Sequence, residues 1–169
     1  MRLPATGFTL IELLVAIAIA AIMLTIGVPS FQRQQLEQQV QAQREAMLNS
    51  LTTARVASQR FAVQANVCPS ADGTQCGTDW RQGWIVYLDS NNDRLLTPGE
   101  QILQVHQYRS KANIQTTAAQ FVFRPNGMTV SANINICADQ VTELHRAIAI
   151  NPLGAITSSG SSDANCTTP

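Results

Sequence analysis

The residue with the most unusual chemical setting in this sequence is Glu12, the single ionisable side chain in a long apolar run. The run covers residues 8–28 and reads FTLIELLVAIAIAAIMLTIGV, which is 21 residues. A helix of this length can cross the hydrocarbon core of a membrane, which is roughly 30 Å thick. A carboxylate inside such a span is costly unless a partner neutralises it, so Glu12 is a candidate functional residue.

The apolar run has two simple explanations. A secretory signal peptide would use Ala16-Ile17-Ala18 or Ala18-Ile19-Ala20 as a small-residue cleavage site. A plain membrane anchor would account for the length alone. Neither explanation accounts for Glu12, and the apolar run continues well past these alanines, which counts against a signal peptide.

A third explanation comes from the residues immediately around Glu12, which read Gly7-Phe8-Thr9-Leu10-Ile11-Glu12. This segment closely resembles the leader site of type IV pilins and type II secretion pseudopilins, in which a membrane peptidase cuts after the glycine and N-methylates the new terminus. The resemblance implies a leader of residues 1–7, cleavage after Gly7, methylation of Phe8 and an assembly role for Glu12. Pro29 stands where pilins carry a helix-kinking proline.

Cleavage after Gly7 would also supply Glu12 with a partner. It creates a positive α-amine on Phe8, about one helical turn before Glu12. Burying an ion pair costs less than burying either ion alone. In a filament, the amine of an incoming subunit would neutralise Glu12 of its neighbour and set the axial register. We therefore expect the charge of Glu12 to matter for assembly and not for membrane insertion.

A long helix must position these residues. Residues 30–65 contain neither Gly nor Pro, so the helix is expected to continue past Pro29. Apolar residues recur in this segment at steps of three, four or seven, which predicts an amphipathic helix with one narrow apolar stripe; they are Leu36, Val40, Met47, Leu51, Ala54 and Phe61. We predict a transmembrane part at 8–28 and an amphipathic continuation at 29–65.

The chemistry of the chain changes at residue 66, and residues 66–169 are predicted to form a β-rich head. A loop with two cysteines, Pro69, Gly73 and Gly77 covers 67–82. Alternating or β-branched runs predict strands near 83–88, 101–107, 119–124, 128–136, 144–150 and 153–157. Asn126-Gly127 predicts a hairpin between two of them. The Thr/Ser/Gly-rich tail at 157–169 is predicted to be irregular.

All four cysteines follow the apolar run, and an oxidising compartment would favour disulfides over free or metal-bound thiols. They are Cys68, Cys76, Cys137 and Cys166. Four cysteines allow three pairings. The pairing between neighbours in sequence joins Cys68 to Cys76 and Cys137 to Cys166, and its second bond would tie down the tail.

A second candidate site is an acidic stretch with calcium-loop spacing. Oxygen-bearing side chains occur at relative positions 1, 3, 5, 9 and 12, as in an EF-hand loop; they are Asp89, Asn91, Asp93, Thr97 and Glu100. Arg94 takes the place of the usual glycine, Pro98 is unusual there, and the preceding residues resemble a strand and not a helix. The alternative is a β-connection whose Asp and Asn side chains stabilise turns.

No arrangement typical of an enzyme or a cofactor site is present. His106 and His145 are isolated in sequence and are expected on strand surfaces. Trp80, Trp84 and Tyr87 could form a contact surface, but the alternation of residues 84–87 favours core packing for one pair of side chains. We expect no catalytic residues and no cofactor.

The head also resembles a family. The segment Cys68-Pro69-Ser70, Gly83-Trp84-Ile85-Val86-Tyr87-Leu88-Asp89 and the later Phe123-Arg124-Pro125-Asn126-Gly127 before Cys137 resemble the FimU/FimT minor pilins and the GspH pseudopilins. The resemblance spans roughly residues 5–155. It implies an α+β type IV pilin fold, in which the amphipathic half of the helix packs on an antiparallel sheet stapled by disulfides.

Members of this group differ in function, and the C-terminal segment discriminates among them. DNA-binding FimT members carry a Gly-Arg motif with further arginines, whereas residues 151–156 read NPLGAI and keep only Gly154. The formal net charge is zero, with 11 basic and 11 acidic residues. Phosphate contacts need cations, so neither observation favours DNA as a partner.

The resemblance therefore implies a minor pilin that takes part in the priming or tip complex of a type IV pilus, with effects on twitching motility and adhesion. Its implied partners are the prepilin peptidase, the major pilin, other minor pilins and the inner-membrane assembly platform. Its implied location is the bacterial inner membrane, with a single span and the head in the periplasm, and then the cell-surface pilus. A DNA-uptake pilin and a GspH-like pseudopilin of type II secretion are the alternatives.

Overall fold

A computed structural model describes residues 8–107, 112–138, 141–160 and 166. The chain divides into two compact units, Met1–Gln35 and Leu36–Pro169. One helix, α1, covers Leu10–Phe61. Eight strands follow: β1 Gln64–Pro69, β2 Gly83–Asp89, β3 Ile102–Gln107, β4 Ala112–Gln115, β5 Phe121–Phe123, β6 Ala132–Ala138, β7 Arg146–Ile150 and β8 Ile156–Ser159. Short 3-10 helices at Trp80–Gln82 and Thr142–Leu144 complete the described elements.

The helix is four residues shorter at its C-terminal end than the sequence predicts. It ends at Phe61 because Ala62 adopts a left-handed backbone conformation with φ 54°, and the chain then enters β1. The amphipathic half buries Val40, Met47, Leu51 and Ala54, as the apolar stripe predicts. The placement of Phe61 in the stripe is wrong, since 47% of it is exposed, and Ala57 is the buried apolar residue nearest that end.

The head contains two antiparallel sheets, whereas one sheet was predicted. The first has the strand order β3-β2-β1-β5 and the second β4-β6-β7-β8. The sequence missed β1 because it was divided between the predicted helix and the predicted loop, yet it is central and its last five residues are buried. It also missed β4, which has only four residues and half-buried polar positions.

The predicted hairpin at Asn126-Gly127 is wrong, although a tight turn forms there. Gly127 N–H donates to the carbonyl of Arg124 at 2.7 Å, and Arg124 N–H donates to that of Met128 at 2.9 Å. The next N–H, of Thr129, donates to Pro152 instead. The chain therefore crosses to the second sheet: β5 pairs with β1, and β6 pairs with β4 and β7.

The core of the head lies between the amphipathic part of α1 and the sheets. Strand β2 is buried along its whole length, so both faces of the strand are covered. Trp84 and Val86 belong to the main core cluster with Met47 and Leu51. Ile85 and Tyr87 pack with Cys68 in a smaller cluster on the other face. The sequence predicts only one of these pairs to be core. The second pair is buried as well, because Cys76 and Leu96 pack against it.

Two disulfides join the cysteines that are neighbours in sequence. Cys68 bonds to Cys76 and Cys137 bonds to Cys166, with Cα–Cα distances of 5.6 and 5.8 Å. Loop-closure entropy gives about 2.5 kcal/mol for the shorter loop and about 3.6 kcal/mol for the longer one. The first closes the loop that follows β1, and the second holds the tail against the end of β6.

Candidate functional site

The N-terminal motif begins α1 with a capped first turn. Thr9 precedes the first helical residue, and its Oγ1 accepts a hydrogen bond from Glu12 N–H at 3.3 Å. The carbonyl of Thr9 accepts from Leu13 N–H at 3.2 Å. The Thr-x-x-Glu spacing is that of a capping box. Glu12 therefore lies in the first turn, where the helix dipole favours a negative charge.

The predicted processing residues flank this cap. Phe8 lies one residue before Thr9 and is 81% exposed. Gly7 and the rest of the leader lie outside the described residues. Phe8 thus lies just before the helix and Glu12 lies in its first turn, while the cleavage and methylation assigned to Gly7 and Phe8 stay predictions.

The described residues of the first unit carry many exposed apolar side chains. The helix is long and apolar enough to cross a membrane by length and composition, and none of its apolar window is buried. A helix of the core of a soluble protein would be mostly buried. Pro29 lies within α1 and does not end it. It lacks the N–H that would bond to the carbonyl of Thr25, which makes this point the natural place for a bend.

The acidic stretch folds around Asp89, which is fully buried. Its Oδ2 accepts hydrogen bonds from Gln64 Nε2 at 2.6 Å, Asn66 Nδ2 at 2.9 Å and Arg94 N–H at 3.0 Å. Its Oδ1 accepts from Asp93 N–H at 3.2 Å. Sequence reasoning missed Gln64 and Asn66 because both belong to β1, which it did not predict.

The other predicted calcium ligands also bind the loop itself. Glu100 accepts hydrogen bonds from the N–H groups of Ser90 and Thr97, each at 2.9 Å. Asp93 accepts from Leu95 N–H at 2.7 Å and from Asn91 Nδ2. No group of three or more acidic, His or Cys ligands converges within the part of the chain that the structure describes. The arrangement stabilises a turn, and calcium binding at Asp89, Asn91, Asp93 and Glu100 stays a prediction.

Two non-glycine residues of this loop have a left-handed backbone, and the first, Asn92 with φ 62°, is of a type that tolerates it. Arg94 takes φ 64°, in the left-handed region. For a residue with a Cβ this conformation costs roughly 1–2 kcal/mol relative to the right-handed one. It is the position that glycine fills in an EF-hand loop.

A second set of residues that sequence reasoning missed joins α1 to the C-terminal loops. Arg55 donates from Nη2 to the carbonyl of Leu153 at 3.2 Å. Gly154 has φ 76°, and a Cβ on it would collide with the carbonyl oxygen of Gly127 and lie 3.0 Å from Arg55 Nε. The loop at Gly154 thus packs against both the turn at Gly127 and the side chain of Arg55. The two glycines can be recognised in the sequence as turn positions, but no sequence pattern predicts that they lie near Arg55.

The aromatic and histidine side chains are structural. Trp84 Nε1 donates to the buried Ser50 Oγ at 2.8 Å, and its ring stacks on His106 with centroids 4.1 Å apart. Burial lowers the pKa of His106. His145 is buried, with Nε2 at 3.0 Å from the carbonyl of Ala138. The expectation that both histidines lie on strand surfaces is therefore wrong for His145, and His106 lies against the core.

Burial also affects Tyr87. Its hydroxyl accepts a hydrogen bond from Asn66 Nδ2 at 3.1 Å. Desolvation raises the pKa of Tyr87 to about 12, so the phenol stays neutral and contributes to the core.

Comparisons with known proteins agree with this geometry. A family model described as "Type II transport protein GspH" matches residues 43–154, and one described as "Prokaryotic N-terminal methylation motif" matches residues 4–28. No curated protein sequence matches the chain.

Solved structures with this fold include two bacterial proteins. The type IV minor pilin FimU of Pseudomonas aeruginosa aligns with a TM-score of 0.55 at 17% identity, over 79% of this chain and 95% of FimU. The minor pseudopilin EpsH of the Vibrio cholerae type 2 secretion system aligns with a TM-score of 0.53 at 7% identity, over 72% of this chain and 97% of EpsH. Identities this low establish the shared fold.

A long N-terminal helix, antiparallel sheets, two disulfides and a prepilin-type N-terminus define the class of protein as an α+β pilin. The GspH model covers well over half of the sequence, and the chain belongs to the GspH family. It is a minor pilin or pseudopilin of the type IV pilus or type II secretion class. Its family and its structural neighbours are structural pilins and not enzymes.

Proposed function

We propose that this chain is a minor pilin of a type IV pilus that takes part in the priming or tip complex. The observation that carries the proposal is the match to FimU at 17% identity, against 7% for EpsH. The exposed apolar helix and its capped Glu12 support incorporation into a filament. Twitching motility and adhesion are the activities that would depend on it.

Processing and location follow from the same proposal. The prepilin peptidase cuts after Gly7 and methylates Phe8. The span at 8–28 then holds the subunit in the inner membrane with its head in the periplasm, until the assembly platform transfers it to the pilus. The methylation motif at residues 4–28 and the exposed apolar helix support this sequence of events.

Glu12 is proposed to select the axial position of the subunit. The α-amine of Phe8 lies about one helical turn from Glu12 of the same chain, and its counterpart on an incoming subunit can reach Glu12 of a neighbour. The capping bond from Glu12 N–H to Thr9 fixes the first turn, so the carboxylate is held at a defined place in the span.

A pseudopilin of type II secretion is the second candidate. The family model and the likeness to EpsH support it. Either protein would use the same helix and the same processing, since the two machines assemble subunits in the same way. DNA uptake is less favoured, because the loop that holds Gly154 presents the exposed apolar Leu153 and no cation.

Deleting the gene separates these functions. For a priming minor pilin we expect few surface pili and a loss of twitching, with normal secretion of folded exoproteins, and full recovery on complementation. Loss of exoprotein secretion with normal pili would identify a pseudopilin. Normal pili and secretion with a loss of transformation, together with a salt-sensitive gel shift, would identify a DNA receptor.

A further inference from the structure

A groove at the edge of the first sheet is bordered by two arginines. It has a volume of about 330 Å³ and lies between β5 and the segment 129–132. Arg94, from the loop after β2, and Arg124, which follows β5, both line it, and both are exposed. The order of the first sheet leaves β5 at its edge. The groove is thus open to solvent on the side where the sheet ends.

Among the side chains that line this groove, only the two arginines are charged. Its lining contains no aspartate or glutamate. The ion pairs within 4.0 Å that the described residues form with acidic side chains involve Arg44 and Arg81, and not these two arginines. Asp89 is near the backbone of Arg94, but it is fully buried and accepts hydrogen bonds from N–H groups and side-chain amides. The two guanidinium groups are therefore available to an anionic partner.

The backbone of Arg94 gives an independent reason to assign a function to its side chain. The turn needs φ 64° at this position, and glycine would adopt that conformation without steric cost. The N–H of Arg94 makes the turn's hydrogen bond to Asp89, and a glycine N–H would make it equally well. The turn does not explain the arginine. Residues with strained backbones persist where the surrounding structure holds them, and they cluster at active sites and ligand clamps.

The other lining residues indicate the class of the partner. Val130 is 74% exposed and Val122 is half-buried, so apolar contact surface lies next to the charges. The one aromatic ring in the lining, Phe121, is 2% exposed and cannot stack on a base. Guanidinium groups bind carboxylates in a bidentate way. This combination suits an extended peptide whose acidic residues alternate with apolar ones.

We propose that the groove bordered by Arg94 and Arg124 binds an extended acidic segment of a partner protein. The segment lies in the groove between β5 and residues 129–132, its carboxylates meet the two guanidinium groups, and its apolar side chains cover Val130 and Val122. The proposal rests on the proposed function only in placing the partner among co-assembled subunits. The binding itself needs no filament.

The test uses the full chain in detergent micelles and a fluorescein-labelled synthetic hexapeptide that alternates glutamate with valine. Fluorescence anisotropy is expected to show saturable binding that weakens with salt. Arg94→Gln and Arg124→Gln are each expected to reduce the affinity about tenfold, the effect of losing a hydrogen bond to a charged group. Arg60→Gln, which removes an exposed arginine of α1 outside the groove, is expected to bind as the unchanged chain does.

Arg94→Gly separates binding from folding. It relieves the left-handed strain and keeps the N–H, so its melting temperature is expected to equal or exceed that of the unchanged chain, while its affinity for the peptide falls as in Arg94→Gln. A purely structural role for Arg94 would instead lower the melting temperature.

Four results would overturn the proposal: no saturable binding by the unchanged chain at millimolar peptide, equal binding of a glutamine–valine peptide, equal losses in the Arg60 variant, or tighter binding of an oligonucleotide of the same charge. None of these bears on the gene-deletion experiment, which measures pili and secretion. The two experiments therefore distinguish failure of the groove proposal from failure of the proposed role in the pilus.

Discussion

At the scale of single residues, the structure gives Glu12 two possible tasks, a charge in the apolar span and a member of the helix cap. We predict that Glu12→Ala leaves membrane insertion intact and reduces the amount of the chain in sheared filaments, because the intersubunit charge pair is lost. Thr9→Ala removes the cap acceptor but keeps the charge, so it is expected to assemble almost normally. Immunoblots of membrane and sheared fractions measure both variants.

The matched variant Glu45→Ala removes an exposed carboxylate from the amphipathic half of the same helix and is expected to behave as the unchanged chain. Equal incorporation of Glu12→Ala and the unchanged chain would show that the charge has no part in assembly. Equal defects in Glu12→Ala and Thr9→Ala would attribute the effect to the helix cap.

The junction at Gly154 allows a graded test of backbone and packing. Gly160→Ala is expected to be neutral, because a Cβ there meets nothing within 4 Å. Gly99→Ala also meets nothing, but φ is 101°, so it carries only the backbone cost of roughly 1 kcal/mol. Gly154→Ala adds a collision with the carbonyl of Gly127, and we expect a loss of about 2–4 kcal/mol. Urea unfolding followed by fluorescence of the buried Trp80 and Trp84 gives the three values. The loss of unfolding free energy is expected to increase from Gly160→Ala through Gly99→Ala to Gly154→Ala. Any other order would contradict the close packing described at Gly154.

His106 predicts a pH dependence of stability. Burial lowers its pKa in the folded chain below the value of 6.5 in the unfolded one, so the unfolded chain binds the proton more readily. The contribution of the neutral His106 side chain to the unfolding free energy is fully present above pH 6.5. It is lost as the pH falls from 6.5 through the pKa of His106 in the folded chain. His106→Phe preserves stacking on Trp84 and is expected to flatten the unfolding free energy between pH 7.5 and pH 5. If the unfolding free energy of this variant changed with pH as steeply as that of the unchanged chain, His106 would not be the cause of the pH dependence.

At the scale of elements, the two disulfides secure parts of the head that packing alone secures poorly. The bond from β6 to Cys166 closes a loop of sequence separation 29, and the bond after β1 closes one of 8. We predict that Cys137→Ala/Cys166→Ala lowers the unfolding free energy by about 3–4 kcal/mol and Cys68→Ala/Cys76→Ala by about 2–3 kcal/mol. Denaturant unfolding under oxidising conditions measures both, and a larger loss for the shorter loop would contradict the entropic account.

The elements also show where sequence patterns are sufficient. The stripe from Val40 to Ala54 was read correctly because the helical period brings those side chains to one face whatever they pack against. Strand β1 was not, because its residues Gln64–Cys68 have no alternation and bury both faces. Its polar members Gln64 and Asn66 both donate to Asp89, which is 23 residues from Asn66 along the chain, and Asn66 also donates to Tyr87.

At the scale of the whole molecule, the main core cluster of the head consists of described residues from 36 onward. We therefore predict that a fragment of residues 36–169, exported to an oxidising periplasm, folds with both disulfides and melts within a few degrees of the full chain in detergent. Thermal unfolding and thiol titration test this. An aggregated or thiol-reactive fragment would show that the head depends on the apolar half of α1.

The sequence by itself determined the membrane-competent helix, its Glu12 and the family. These features depend on local composition, spacing and short motifs, which need no knowledge of distant contacts. Only the tertiary structure decided that the head has two sheets, that Asn126-Gly127 turns the chain from one sheet to the other, and that Asp89, Gly154 and Arg94 have the partners and strain described above. Each of these features depends on residues that are far apart in sequence. They come together only when the helix and the strands bury their apolar faces in one core.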